Sequence, residues 1–261
     1  FVGGSTLVYL VPQKNNFQLL FLSYAWSLIS NIVGLVLLRV FHLIPPEYTL
    51  LLLVLTLIYS IYYIHTSLMQ GKEDIKIFNL YQLSQAVLLL LFLGALLLYA
   101  HLSHIKPTID YYLYAYLGSY AIPTIASCFY TAKHIEHPTF SGMGTLLKEM
   151  FKLGFWTQLA NLTQLLTYRL NYYLIEAYAG RKPLGIFELG TKISEAVWIF
   201  PKSICLVQYA RLSNNHEDKY AKQLTMSLLQ IVLIFALFAV LILLLLPGKF
   251  IAFIFGPEFV N

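Results

Sequence analysis

The sequence contains apolar runs that are too long and too continuous for the core of a soluble domain. Residues 50–58, 87–98 and 231–246 hold almost no polar side chain. Of the 261 residues, 59% are hydrophobic and only 11% are charged, whereas soluble domains average about 25% charged residues. Lipid is the environment that such runs need. Because the alternation typical of membrane β-barrels is absent, we predict an all-α polytopic membrane protein.

Loop signals divide the chain into about eight helical segments. Clusters such as Pro45-Pro46 and Pro247-Gly248 mark the breaks between them. The first segment, 1–11, is only the end of a helix, and the others are 17–44, 48–69, 77–101, 110–132, 153–179, 184–210 and 224–246. The chain opens without Met and stops soon after an apolar segment, so we expect both ends to be truncations.

Positive charges orient these segments. With the loop at Lys14 in the cytoplasm, nine Lys and Arg residues fall on the cytoplasmic side, four on the outer side and four within helices, as the positive-inside rule requires. We predict a partial N-terminal lobe of about five segments at 1–132 and a partial C-terminal lobe of about three at 153–261. The connection 133–152 is predicted to be a cytoplasmic inter-lobe linker, and its simplest interpretation is a surface-lying connector.

Several kinds of site are not indicated by the sequence. Cys128 and Cys205 both lie in apolar stretches, which favours neither a disulfide framework nor a metal site. The net charge of +5 is spread over short loops, so it reflects membrane topology and not nucleic-acid binding. We therefore expect no metal, no cofactor and no nucleic-acid partner.

Polar side chains follow one side of the predicted segment 153–179. On a helical wheel they fill a sector of about 160° that ends at Arg169, and leucines lie opposite. An ionisable side chain that faces lipid costs about 3 kcal/mol or more, and hydrogen bonding between helices explains one or two such residues but not a full-length stripe. The pattern predicts a water-filled cavity lined by Gln158, Asn161, Gln164, Tyr168, Arg169, Asn171, Tyr172 and Glu176.

The next segment carries a second row of charges. Its members lie within about 80° of one another and are Glu188, Lys192, Glu195 and Lys202. Spacings of three and four residues permit ion pairs, so a purely structural charge cluster is the alternative interpretation. Because the loop 180–183 is short, the two segments must pack antiparallel, and we expect Arg169 and Lys192 to line one cavity. A cationic cavity fits an anionic group such as a diphosphate.

Four short motifs then occur in order. They are Arg169-Leu170-Asn171, the stretch from Gly185 to Gly190, the positions Glu195, Pro201 and Arg211-Leu212-Ser213, and Phe255-Gly256-Pro257-Glu258-Phe259. From Arg169 onward the chain resembles the polysaccharide-transport (O-antigen flippase) branch of the multidrug/oligosaccharidyl-lipid/polysaccharide exporter superfamily. Asn171 stands where that family often has Asp, so a coupling role for H+ or Na+ assigned to that carboxylate does not carry over.

The resemblance implies a two-lobe MATE-like helical transporter fold, incomplete at both ends, in the bacterial inner membrane. It also implies a non-enzymatic flippase that moves an undecaprenyl-diphosphate-linked oligosaccharide, a repeat unit of O-antigen or of capsular or exopolysaccharide, by alternating access. A polysaccharide polymerase and a chain-length regulator are then conceivable partners beside membrane lipids. The alternatives are an ion-coupled multidrug exporter of the same superfamily, or an integral-membrane polymerase or glycosyltransferase.

Overall fold

The computed structural model describes residues 4–106, 108–215 and 217–245. In that part of the chain there are eight α-helices and no strand. The helices are α1 (Ser5–Leu10), α2 (Asn16–Val40), α3 (Thr49–Gly71), α4 (Ile75–Leu102), α5 (Ile109–His134), α6 (Met143–Ala179), α7 (Arg181–Asn214) and α8 (Asp218–Leu245), with a short 3-10 turn at Pro46–Tyr48. The predicted all-α class is confirmed. The motif at 255–259 and the breaks beyond residue 245 lie outside the described residues.

Four of the helices are long and apolar enough to cross a membrane. They are Asn16–Val40, Pro46–Gly71, Ile75–Leu102 and Asp218–Leu245. Most of their surface is uncovered by protein: Leu90 on α4 is 72% exposed and Ile234 on α8 is 69% exposed. Apolar surface on this scale belongs against lipid and not against water. A helix is stable there because it satisfies its own backbone hydrogen bonds. The chain is an integral membrane protein.

Three other predicted spans do not meet the same standard. α5, α6 and α7 have 26, 37 and 34 residues, which is long enough to cross a bilayer at 1.5 Å per residue. They are not among the four because their composition is less apolar. α6 and α7 are the helices that carry the polar stripe and the row of charges.

The chain divides into two compact units, and the division falls after Thr157, within α6. The core of the first unit is a cluster that includes Leu7, Leu10, Leu19 and Leu68. Leu146 and Met150, which lie in the predicted linker, belong to this core, with 5% and 0% of their surface exposed.

The linker region is thus a packed element rather than a surface connector from residue 143 onward, because α6 begins ten residues before the predicted segment. Lys14 Nζ lies 2.8 Å from Glu149 Oε2, and the rings of Trp26 and Phe151 meet edge to face at 4.7 Å. These contacts fasten the first turns of α6 to the beginning of α2 and the chain before it.

A buried polar network joins α2, α3 and α5. The His65 ring is 2% exposed, with Nε2 at 2.6 Å from the Tyr24 hydroxyl and Nδ1 at 2.6 Å from Ser127 Oγ. The Ser127 hydroxyl donates its proton to the Thr124 carbonyl at 2.7 Å. Its oxygen must therefore accept from His65 Nδ1–H, and Nε2 must accept from Tyr24. One neutral tautomer of His65 satisfies the whole network.

The second unit holds the remainder of α6 together with α7 and α8. α7 and α8 are joined by a stacked pair, Phe200 and Phe235, whose ring centroids are 4.0 Å apart. The Gln208 amide donates to Thr225 Oγ1 at 2.9 Å on the same pair of helices. α6 and α7 are joined by a one-residue turn at Gly180, and the candidate site lies between these two helices.

Candidate substrate-binding groove

A single residue separates α6 from α7. Gly180 has φ 88°, in the left-handed region that favours glycine, and its N–H donates to the Ile175 and Glu176 carbonyls at 3.1 Å. With ψ −179°, the residue lies in an extended positive-φ region that is essentially restricted to glycine, and the chain turns there from α6 into α7. The loop was predicted to span 180–183, but residues 181–183 belong to α7. Pro183 is tolerated there because the first turn of a helix does not use its N–H groups.

Beyond this turn, the two helices face each other across an open groove. Near its closed end the Tyr172 and Phe187 rings meet edge to face with centroids 5.9 Å apart. Arg181 Nε lies 3.4 Å from Glu176 Oε1. Further along, the side chains separate and leave two adjoining cavities.

The first, which we call the charged cavity, has a volume of about 440 Å³. Its wall holds five ionisable side chains, three tyrosines and two leucines. They are Leu165, Tyr168, Arg169, Tyr172, Tyr173, Glu176, Leu184, Glu188, Lys192 and Glu195. Its volume lies within the range of about 300–1,000 Å³ that is usual for ligand sites.

The second, which we call the aromatic cavity, has a volume of about 740 Å³. Aromatic rings and neutral polar groups dominate its wall. Its residues are Gln164, Tyr168, Phe187, Gly190, Thr191, Ser194, Glu195, Trp198, Ile199 and Lys202. Tyr168 and Glu195 belong to both walls, so the two cavities adjoin.

The charges of the groove are balanced in number. Three bases and three acids line the two cavities together: Arg169, Lys192 and Lys202 against Glu176, Glu188 and Glu195. The expectation of a cationic lining therefore does not describe the wall as a whole. What matters is which charges are already paired.

Two of the three carboxylates have a cation beside them. Lys192 Nζ lies 3.0 Å from Glu195 Oε2, and Glu176 has Arg181. Of the described residues, none forms an ion pair with Arg169, Lys202 or Glu188. The uncommitted charges are thus two cations and one anion, and Arg169 is the uncommitted cation of the charged cavity.

The Lys192–Glu195 pair is open to exchange. The two side chains are 62% and 50% exposed, and an exposed ion pair contributes only about 0–1 kcal/mol. A ligand anion that binds Lys192 therefore displaces Glu195 at small cost.

Nine of the twelve residues predicted for the site line one or both cavities. In the charged cavity Arg169 and Lys192 face the same space, as do the two tyrosines and three glutamates that were predicted. Gln164 and Lys202 line the aromatic cavity. Gln158, Asn161 and Asn171 are exposed on α6 but line neither of these two cavities.

Most residues of the aromatic wall are not among the residues predicted for the site. Phe187, Thr191, Ser194 and Trp198 follow one another at intervals of four, three and four residues along one face of α7. That spacing was available in the sequence. It was overlooked because only charged residues were used to define the polar face of this helix.

The chain was then compared with known proteins. A family model described as "Polysaccharide biosynthesis protein" matches residues 46–261, which is 216 of the 261 residues. This range is wider than the motif region that begins at Arg169, and it includes all of α3 to α8. The searches of curated proteins and of solved structures found no match.

Proposed function

The chain belongs to the polysaccharide biosynthesis protein family, and from that premise we propose that it carries an undecaprenyl-diphosphate-linked oligosaccharide across the bacterial inner membrane by alternating access. The passenger is a repeat unit of O-antigen or of a capsular or exopolysaccharide. Its sugar and diphosphate occupy the groove between α6 and α7, and its polyprenyl tail stays in the bilayer. The protein makes and breaks no covalent bond in this cycle.

The observation that carries the proposal is the state of Arg169. Its guanidinium lines the charged cavity and has no carboxylate partner among the described residues. A guanidinium presents a rigid fork of N–H donors that matches two phosphate oxygens. An uncommitted arginine in a cavity on an otherwise lipophilic protein therefore supports an anionic ligand.

Lys192 is the second cation for the diphosphate. It lies across the same cavity and is paired only with the exposed carboxylate of Glu195. A diphosphate carries more negative charge than one carboxylate, so it takes Lys192 from Glu195 when it binds. Glu195 then becomes free, which gives the groove different charge arrangements in its loaded and empty states.

The same proposal sets the wider architecture. α5, α6 and α7 also cross the membrane. In α6 and α7 a polar stripe that faces a wet groove lowers the mean apolarity of the helix without exposing charge to lipid. The lobes are residues 1–132 and 153–261 of a two-lobe MATE-like transporter, with 133–152 between them. A polysaccharide polymerase and a chain-length regulator act on the delivered repeat unit.

Substitutions of the two cations test the proposal. We expect Arg169→Ala and Lys192→Ala each to lower the export of surface polysaccharide about tenfold or more at matched protein level, since a hydrogen bond to a charged group contributes about 1.5–3 kcal/mol. Lys182→Ala is the matched control, because Lys182 lies on α7 but lines neither cavity. Unchanged export in both groove variants would remove these residues from the mechanism.

One observation favours a second function. Glu188 lines the charged cavity without an ion-pair partner among the described residues. The same wall holds three tyrosines, and aromatic rings attract lipophilic cations. The substitution Glu188→Gln separates the two functions. A diphosphate carrier keeps or improves its binding of polyprenyl diphosphate when this negative charge is removed, whereas a drug exporter loses its binding of cationic dyes.

A further inference from the structure

The aromatic cavity has the chemistry of a site for a neutral, hydroxylated ring. Trp198, Phe187 and Tyr168 supply aromatic surface, and Gln164, Thr191 and Ser194 supply neutral polar groups. A pyranose ring has faces of C–H groups, which pack against aromatic rings, and an edge of hydroxyl groups, which need hydrogen-bond partners. A wall that combines both kinds of surface is complementary to such a ring.

The hydrogen-bonding capacity of this wall is largely uncommitted. The Thr191 and Ser194 hydroxyls donate to the Phe187 and Gly190 carbonyls of their own helix, each at 2.9 Å, which leaves their oxygens as acceptors. In the described part of the chain no acceptor is bonded to the Trp198 indole N–H, and the Gln164 amide has no partner either. Donors and acceptors are therefore both available to sugar hydroxyls.

Gly190 widens the aromatic cavity. A Cβ built on this residue meets no atom within 4 Å, so the missing side chain leaves open space rather than avoiding a clash. Gly185, one and a half turns earlier on α7, also meets nothing within 4 Å but lines neither cavity. The two glycines form a matched pair that differs in its relation to the cavity.

The shared wall places the two cavities in a defined order. Tyr168 and Glu195 line both of them, so one ligand can fill both, with its anionic end in the charged cavity and its hydroxylated end against the aromatic wall. Lys202 and Glu195, the charged side chains of that wall, can also bond to hydroxyl groups. We propose that the aromatic cavity is the glycan subsite, which holds the sugar next to the diphosphate with Trp198 as its stacking surface. This inference rests on the proposed function, because it assumes that the diphosphate occupies the charged cavity.

Binding measurements on the whole protein in detergent, with two probes, test this subsite. The first probe is farnesyl diphosphate, and the second is a polyprenyl diphosphate that carries a disaccharide. We expect Trp198→Ala and Gly190→Leu to weaken the glycosylated probe about fivefold to tenfold, the effect of one lost aromatic contact. Both variants bind farnesyl diphosphate within twofold of the unaltered protein. Trp198→Phe retains most of the affinity, and Gly185→Leu changes neither probe.

The outcomes separate the subsite from the proposed function. If Trp198→Ala and Gly190→Leu bind the glycosylated probe as tightly as the unaltered protein, or weaken both probes equally, the glycan subsite is overturned. Arg169→Ala serves as the independent arm, and we expect it to weaken both probes. If Arg169→Ala changes neither, the diphosphate site fails, whatever Trp198 does.

Discussion

Tyr24 and Tyr62 of the first unit are half-buried and buried, respectively, and they differ in whether the hydroxyl has a partner. The Tyr24 hydroxyl donates to His65, which in turn donates to Ser127. The Tyr62 hydroxyl is buried without a hydrogen-bond partner, although its ring packs edge to face on Tyr120 with centroids 5.2 Å apart. An unmade hydrogen bond in a buried site costs free energy that a made one does not.

The same substitution should therefore destabilise the protein at Tyr24 but not at Tyr62. We expect Tyr24→Phe to lower the free energy of unfolding by about 1–3 kcal/mol, because it leaves His65 Nε2 as an unsatisfied acceptor. Tyr62→Phe removes a hydroxyl that bonds to nothing and is expected to be neutral or stabilising. Thermal unfolding of the purified protein in one detergent measures both. Equal losses of stability in the two variants would contradict the assigned network.

The sequence alone does not show which of the two tyrosine hydroxyls has a hydrogen-bond partner. Tyr24 and Tyr62 both lie in long apolar segments, and nothing in the spacing brings Tyr24, His65 and Ser127 together. Their contact depends on how three helices pack, which single-helix periodicity does not determine. The charged residues of the groove could be predicted, because Arg169 and Glu176 lie on one face of one helix and a helical wheel groups them.

At the scale of the helix, the turn between α6 and α7 depends on one backbone conformation. Gly180 adopts φ 88° and ψ −179°, a conformation that costs about 1–3 kcal/mol for a residue with a Cβ. We expect Gly180→Ala to lower the free energy of unfolding by about that amount. Gly185→Ala, inside α7 and free of neighbours within 4 Å, is expected to raise it by up to about 1 kcal/mol through helix propensity.

Heating followed by size-exclusion chromatography compares the two alanine variants with the unaltered protein. The groove lies directly beyond Gly180, so a distorted turn also predicts weaker substrate binding for Gly180→Ala. If Gly180→Ala is as stable as Gly185→Ala, the left-handed turn is not what joins these helices.

The length of the apolar runs predicted where the helices lie, but it did not always predict where they begin and end. The predicted segment 77–101 agrees with Ile75–Leu102 to within two residues at each end, because a long apolar run with polar flanks leaves little choice. The start of α6 was ten residues late, since 143–152 mixes charged and apolar residues and resembles a connector. Leu146 and Met150 are buried in the core that also holds residues of α1, α2 and α3, and this tertiary packing favours the helix.

At the scale of the whole molecule, the proposed transport requires the polar helices α6 and α7 to cross the bilayer. α6 is 37 residues long and α7 is 34, so both exceed the roughly 20 residues that a span needs. Only composition separates them from the four apolar spans. If both cross, the turn at Gly180 lies on the side opposite to the beginning of α6, and the groove opens within the membrane.

Cysteine labelling measures this topology directly. Cys128 and Cys205 are exposed and must first be replaced by Ser; single cysteines are then placed at exposed basic positions on either side of α4, α6, α7 and α8. In intact cells, a membrane-impermeant maleimide should label Lys106→Cys and Arg181→Cys, which lie on the predicted outer side. The cytoplasmic variants should react only after permeabilisation, and they are Lys76→Cys, Lys148→Cys and Lys219→Cys. This assignment follows from the excess of basic residues on the cytoplasmic side. Lys76 and Lys106 bracket α4, an apolar span, and serve as the internal standard. Labelling of Lys148→Cys and Arg181→Cys from the same side would show that α6 does not cross, and the groove could then not carry a ligand between the two leaflets.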